Sequence, residues 1–170
     1  MITLLSTLIT DFFMTHLAKE RNVSGHTVMA YRDTLKMLLC FAAKFLGRTV
    51  DHLSFEHLSA EVILEFLNHL ENARRNTVRS RNARLAAIHS FFRYVLGREP
   101  ALASLCQQVL TIPFKKTTHQ ALGYLSEEEM KNLLSHIGRS ALNGERDYLL
   151  LALLYDTGAR VHEVLNLKAH

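Results

Sequence analysis

The chain has 170 residues, of which 48% are hydrophobic and 21% are charged, and its formal net charge is +4. This apolar content excludes an intrinsically disordered protein. The 7 Gly and 2 Pro residues are too few for a turn-rich all-β or collagen-like chain. The two cysteines, Cys40 and Cys106, cannot form a disulfide framework or a four-Cys zinc site, and we expect both to be buried. The length predicts one domain, or a small domain followed by part of a second.

Sequence signals for export or membrane insertion are not recognisable. No basic group precedes the apolar stretch at the N-terminus, and Asp11 soon interrupts it. The longest apolar run covers only residues 148–155, whereas a transmembrane helix needs roughly 18 such residues. We therefore expect a cytoplasmic protein that has no membrane partner.

Basic residues are concentrated in one part of the chain. Residues 72–98 contain seven arginines and no acidic residue, so the remainder of the sequence is mildly acidic. Arginine can bind phosphate through two parallel hydrogen bonds, and Asn, Thr and Ser donors are interspersed among these arginines. The pattern favours a surface that binds nucleic acid, although a solvated helix face would carry the same charges.

Apolar residues recur at helical spacing through the first 110 residues. In chain order, the predicted helices cover about 2–21, 25–46, 60–71, 77–96 and 100–110. Ser24 and Ser59 are suited to cap the second and third helices, and Gly47 and Gly97 are expected to end the second and fourth. Arg81 and Arg84 lie off the apolar line of the fourth helix, so we expect both side chains to be exposed.

A change of pattern marks a boundary after this region. Residues 111–124 contain Pro, Gly and paired Lys without helical spacing, which predicts a linker between domains 1–110 and 125–170. Ser126 and Glu129 form a capping-box pattern that predicts a helix to about residue 137. The segment 146–156 is apolar nearly all round and is therefore expected to be a buried helix that ends at Gly158. A last helix is predicted over 160–167, so the fold class is all-α.

The segment 149–168 resembles the first catalytic motif of the tyrosine recombinases, the phage-integrase family. That motif is a buried helix followed by Thr-Gly-x-Arg-x-x-Glu, represented here by Thr157, Gly158, Arg160 and Glu163. Further stretches resemble the same family in the same order, namely 24–35 and 81–94 from its core-binding domain and 125–134 and 146–147 from its catalytic domain. The resemblance therefore extends over the whole chain.

The resemblance implies a SAM-like helical-bundle core-binding domain followed by the first helices of an integrase catalytic domain. Members of the family cleave DNA by attack of a Tyr hydroxyl on a phosphodiester, without a metal or other cofactor. Arg160 is implied as a catalytic residue that stabilises negative charge on the phosphate, with Glu163 supporting it. The double-stranded target is implied to be an inverted-repeat recombination site, on which further recombinase protomers assemble.

The sequence also departs from the family pattern. Only ten residues follow Arg160, and none of the five tyrosines is among them, so the nucleophile and other catalytic motifs of the family have no counterpart. We expect this polypeptide to be catalytically inert alone, as a truncated reading frame or a piece of a longer protein. Residues 125–170 are also few for an independent core, which predicts loose order, self-association or packing on the N-terminal bundle.

The resemblance and the charge pattern together predict the residues that contact DNA. The second and fourth helices are expected to approach the major groove from one side of a clamp, while the loop before the fourth helix grips phosphates. The predicted contact residues are Thr27, Arg32 and Lys36 on the second helix, Arg74 and Arg75 in the loop, and Thr77, Arg79, Arg81, Asn82 and Arg84 on the fourth.

Two other classes of function remain open from the residues themselves. The chain could be a non-enzymatic helical regulator that binds DNA, or a protein-interaction module whose arginines bind an acidic partner. Steep salt dependence of DNA binding would exclude the interaction module. The ten histidines match no common zinc spacing, so no metal site is predicted.

Overall fold

The structure, a computed structural model, describes residues 4–117, 123–138 and 142–167. The chain divides into two compact units, Met1–Thr118 and His119–His170. Every regular element in the described ranges is helical, which confirms the all-α prediction. The predicted helix start at Ile2 and residues 118–122 of the predicted linker lie outside the described residues.

The first helix has two segments of different geometry. Helix α1 covers Leu5–Asp11, and the chain continues as a π-helical segment over Phe12–Glu20, where a single α-helix was predicted. Hydrogen bonds in a π-helix join residues five apart. Phe12 and Leu17 are five residues apart and both are fully buried, so the wider turn places both side chains in the core.

Three long helices follow, and side-chain caps begin each of them. They are α2 (Gly25–Phe45), α3 (Ala60–Asn72) and α4 (Val78–Arg98). The hydroxyls of Ser24, Ser59 and Thr77 accept hydrogen bonds from the backbone amides of Thr27, Val62 and Ser80. The predicted caps at Ser24 and Ser59 are therefore confirmed, and Thr77 fixes the start of the fourth helix.

Helix α4 does not end at Gly97 as predicted, because it continues to Arg98. Glu99 instead leaves the helical region with φ −125° and ψ 83°, directly before Pro100. A residue that precedes proline is disfavoured in the α region, so the proline ends this helix. A 3₁₀ turn (Pro100–Leu102) then leads into α5 (Ala103–Leu110).

Aromatic side chains fill the core of the first unit. Phe12 contacts Phe91 edge to face, with ring centroids 5.3 Å apart. Phe55, from a short 3₁₀ turn between α2 and α3, packs on Phe92 with ring centroids 4.9 Å apart. All four rings are buried, so one core joins the first helix, the α2–α3 connection and α4.

The second unit contains α6 (Glu127–Ser135), α7 (Gly144–Thr157) and α8 (Val161–Leu165). The capping box predicted at Ser126 and Glu129 is confirmed, since each side chain binds the other residue's backbone amide. The prediction that α7 is buried is wrong, because 61% of Leu149 and 49% of Tyr155 are exposed. Among the described residues of this unit, α6 and α8 are too short to cover all sides of an apolar helix.

Candidate nucleic-acid interface

Helices α2 and α4 lie beside each other. A cleft of about 500 Å³ lies between them, and Thr27 and Ser80, one near the start of each helix, both line it. Helix α3 runs antiparallel to α2, since Phe41 contacts Phe66 while Met37 contacts Arg74. Thr27 and Ser80 belong to the first turns of α2 and α4, where unsatisfied backbone amides are concentrated, so both helix starts border this cleft.

Arg84 holds α2 and α4 together rather than extending freely into solvent. Its Nη1 atom donates hydrogen bonds to the Thr34 hydroxyl at 2.9 Å and to the Ala30 carbonyl at 3.2 Å. The Thr34 hydroxyl is buried and itself donates to the Ala30 carbonyl at 2.7 Å. The expectation that Arg84 is fully exposed is therefore wrong, because its half-buried side chain spans the two helices.

Arg81 also differs from the sequence prediction of an exposed arginine. Only 4% of the residue is exposed, and its Nη1 atom donates to Asn82 Oδ1 and to the Pro113 carbonyl, both at 3.2 Å. Its Nε atom has no hydrogen-bond partner within the described part of the chain. The segment after α5 covers this side of α4, which sequence spacing could not reveal because Pro113 is distant along the chain.

The remaining residues of the first unit that were predicted to contact DNA differ in their exposure and in their contacts with the protein. Arg32, Lys36, Arg75 and Arg79 are exposed, and Arg75 has a left-handed backbone with φ 53°. Arg74 is exposed but turns back to α2, where Nη1 lies 2.8 Å from Met37 Sδ. The two threonines occupy the helix starts: Thr27 contacts the Ser24 hydroxyl, and Thr77 caps α4. Asn82 is half-buried and contacts the backbone of Lys115.

Arg160 and Glu163 lie together in the second unit. Gly158, with φ +64°, ends α7 in a left-handed turn, and Arg160 is the cap residue of α8. The Arg160 Nη1 atom donates to Glu163 Oε1 at 3.0 Å, while the Arg160 backbone amide donates to Glu163 Oε2 at 2.8 Å. The backbone hydrogen bond is the main cause of a lowered Glu163 pKa. The Arg160 side chain is 87% exposed, so its guanidinium is accessible.

A second cleft of about 470 Å³ opens between α2 and α3. Its walls combine apolar side chains such as Phe45 with Cys40, Lys44 and Arg74. Cys40 is exposed there, so the prediction that both cysteines are buried is wrong for this residue. Cys106 is buried, and desolvation raises its pKa to about 11.

Three further residues of this region make contacts that the sequence pattern does not reveal. Thr34 links Arg84 to α2, Glu71 pairs with Lys115 Nζ at 2.7 Å, and buried His89 lies 3.1 Å from the Val109 carbonyl through Nε2. Their partners are distant in sequence, so local patterns carry no signal for these contacts. Within residues 4–117, 123–138 and 142–167, no three His, Cys, Asp or Glu side chains are grouped as metal ligands. None of the helices in these ranges is long and apolar enough to span a bilayer.

Comparison with known proteins gives consistent relatives. Residues 10–99 match the family described as phage integrase, N-terminal SAM-like domain. Two putative integrase/recombinases of Sinorhizobium fredii, y4rC and y4rD, are 41% and 40% identical over 96% and 98% of this chain. Tyrosine recombinase XerC of Staphylococcus saprophyticus is 30% identical over 88% of the chain.

This chain spans only about half the length of these relatives: 49% of y4rC, 59% of y4rD and 47% of the XerC protein. No solved structure shows a significant match. The domain match covers the bundle that contains α2 and α4, and the relatives extend the similarity through the second unit. The chain therefore belongs to the phage-integrase family of tyrosine recombinases.

Proposed function

We propose that this chain is the DNA-binding, N-terminal part of a site-specific tyrosine recombinase. The observation that carries the proposal is the cleft bordered by the first turns of α2 and α4, beside the exposed cations Arg75 and Arg79 that precede and begin α4. Helix starts and arginines both favour phosphate oxygens, and a helix of ordinary width fits the major groove of DNA. The similarity to relatives named integrase/recombinase supports the same proposed function.

Within this proposal the predicted contact residues act in two ways. The exposed residues Arg32, Lys36, Arg75 and Arg79 bind phosphates, and Thr27 offers a further donor at the start of α2. Thr77, whose hydroxyl donates to Ser80 Oγ, contributes through the cap that positions the start of α4. Arg74, in the loop that precedes α4, adds positive charge there. The less exposed Arg81, Asn82 and Arg84 contribute mainly by positioning α4, since their polar atoms already contact protein.

The complete protein is proposed to recombine DNA at paired inverted-repeat sites together with further protomers. Arg160 would there bind the phosphodiester that is cleaved, with Glu163 orienting it. The Arg160–Glu163 ion pair is exposed to solvent and therefore weak, so the guanidinium can exchange its carboxylate partner for a phosphate at little cost. The two hydrogen bonds that Glu163 accepts from Arg160 fix the start of α8, which would hold Arg160 in place.

The DNA-binding part of the proposal is tested by salt-dependent binding of residues 1–170. Affinity for DNA falls as the salt concentration rises. Each phosphate contact that is lost makes the plot of log affinity against log salt shallower by about 0.9. We expect a variant with both Arg75→Ala and Arg79→Ala to bind duplex DNA more weakly, with a slope that is smaller by about 1–2. The measurement is a titration followed by fluorescence anisotropy at several salt concentrations.

Arg93→Ala is the matched control for Arg79→Ala. Arg93 is also an exposed arginine of α4, but it lies fourteen residues further on, which is about 21 Å along the helix. The control should keep the original slope. Equal losses for Arg79→Ala and Arg93→Ala would mean that net charge, and not the surface around the starts of α2 and α4, determines binding. Failure to bind duplex DNA, with binding of an acidic peptide, would instead favour the interaction module.

Arg160 separates a recombinase from a DNA-binding regulator. In a longer chain completed with the segment that the relatives have in addition, Arg160→Ala should preserve binding to the target site and abolish cleavage. Arg146→Ala is a suitable control, because Arg146 is another exposed arginine of the same unit. If the completed protein never cleaves DNA, the regulator becomes the better interpretation.

A further inference from the structure

The segment that follows α5 runs back along α4 toward the start of that helix. Near the end of α5, the Val109 carbonyl contacts His89 of α4. Further along the chain, the Pro113 carbonyl reaches Arg81, and Lys115 reaches Asn82. At Lys115 the segment therefore lies against the second turn of α4, one turn after Thr77 and Arg79.

Asn82 satisfies both backbone groups of a single residue in this segment. Its Nδ2 donates to the Lys115 carbonyl at 2.7 Å, and its Oδ1 accepts from the Lys115 amide at 3.1 Å. A paired strand would offer a residue the same two bonds. Among side chains, an amide such as that of Asn carries both the donor and the acceptor that this arrangement requires.

Neighbouring groups hold the two partners in place. The buried guanidinium of Arg81 donates to Asn82 Oδ1 and also to the Pro113 carbonyl, which fixes the orientation of the Asn82 amide. On the segment, Ile112 is buried in the core. The Lys115 ammonium binds Glu71 of α3 at 2.7 Å, so Lys115 is attached through both its backbone and its side chain.

We propose that Asn82, supported by Arg81, is a positioning residue that latches the interdomain segment onto α4. The latch fixes the backbone of Lys115, close to the C-terminal boundary of the first unit. The preceding backbone attachment of this segment that does not involve Arg81 or Asn82 is at Ile112, whose amide binds Val109. The latch therefore extends the attachment of the backbone by three residues, which is about 10 Å of extended chain. This role does not depend on DNA binding.

Hydrogen exchange of the Lys115 amide in the chain of residues 1–170, without DNA, tests the latch directly. In the unsubstituted protein this amide should exchange at least about fivefold more slowly than the same amide in an unstructured peptide, which corresponds to one net hydrogen bond. Asn82→Ala removes both bonds and should abolish the protection. Asn82→Asp retains an acceptor for the amide and should retain protection.

Arg93→Ala is the control on the same helix, and it should leave the Lys115 amide protected. Slow exchange of the Leu85 amide within α4 reports that each variant remains folded. If Asn82→Ala unfolds α4, the outcome for Asn82→Asp decides, because loss of Lys115 protection with α4 intact would contradict the acceptor role. Trypsin cleavage after Lys115 and Lys116 should also accelerate in Asn82→Ala.

The proposal is overturned if the Lys115 amide of the unsubstituted protein exchanges as in an unstructured peptide. It is equally overturned if Asn82→Ala is folded and leaves both exchange and cleavage unchanged. Neither result would bear on the proposed DNA-binding function, which is measured with the arginine variants and duplex DNA. Failure of DNA binding would likewise leave the latch intact.

Discussion

The two units use apolar helices in opposite ways. Helix α4 of the first unit has polar residues on one side and a fully buried apolar line that includes Phe91, Phe92 and Val95. Helix α7 of the second unit is apolar nearly all round, yet Leu149, Leu153 and Tyr155 are exposed. Apolar content alone therefore does not bury a helix; neighbouring elements must be long enough to cover it.

The largest expected effect of this difference concerns stability. Phe91→Ala should lower the free energy of unfolding by about 3–5 kcal/mol, because it leaves a cavity among Phe12, Phe55 and Phe92. Denaturant unfolding of residues 1–170, followed by circular dichroism, measures the change. Leu149→Ala, in exposed α7, should alter the main transition by less than about 0.5 kcal/mol. A large loss from Leu149→Ala would show that α7 belongs to the cooperative core.

The two thiols test whether the core of the first unit is closed. Cys40 is exposed on α2, whereas desolvation raises the pKa of buried Cys106 from its usual 9.0 to about 11. That shift alone reduces the reactive thiolate by about 100-fold near neutral pH. We expect an alkylating reagent to modify one cysteine per native chain, which peptide mass spectrometry would locate at Cys40. Cys40→Ser should therefore remain unmodified until denatured, and rapid labelling of Cys106 would contradict a closed core.

Helix starts were predictable because the groups that form them are adjacent in sequence. Ser24, Ser59 and Ser126 each bind an amide three residues ahead, and the pattern alone identifies them. The burial of Arg81 was not predictable, since it results from Pro113, thirty-two residues away. The same limit explains Arg84, whose partners are on α2. Local sequence patterns thus predicted where the helices begin, whereas the exposure and hydrogen bonding of Arg81 and Arg84 depended on tertiary contacts.

Equivalent caps in the two units offer a finer comparison. Ser59→Ala should destabilise the main unfolding transition by about 1 kcal/mol, because α3 is packed into the core of the first unit. Ser126→Ala removes a cap whose hydrogen bond is shorter than that of Ser59 and which Glu129 reciprocates through its carboxylate. Helix α6, which this cap begins, contributes only Met130 to the buried residues. We expect Ser126→Ala to leave the main transition unchanged in denaturant titrations. Equal shifts for both variants would indicate that the units unfold together.

The smallest expected effect is a pH dependence that arises from His89 in the first unit. Burial lowers the His89 pKa below 6.5, and the charges of Arg93 and Arg81 act in the same direction, against the hydrogen bond to Val109. The unfolded chain therefore binds a proton near pH 6.5, where folded His89 is still neutral. The stability that this difference provides is fully present above pH 6.5 and is lost as the pH falls through the lower folded pKa.

His89→Gln isolates this contribution, because a Gln side chain retains an N–H donor for the Val109 carbonyl but does not titrate. Between pH 7 and pH 5, the free energy of unfolding of the variant should fall less steeply than that of the unsubstituted chain. Urea titrations at each pH measure both slopes. Identical slopes would mean that His89 accepts a proton as readily in the folded state as in the unfolded state. The His89 ring would then be accessible to water. The contrast between the buried core of the first unit and the exposed apolar residues of the second would be smaller.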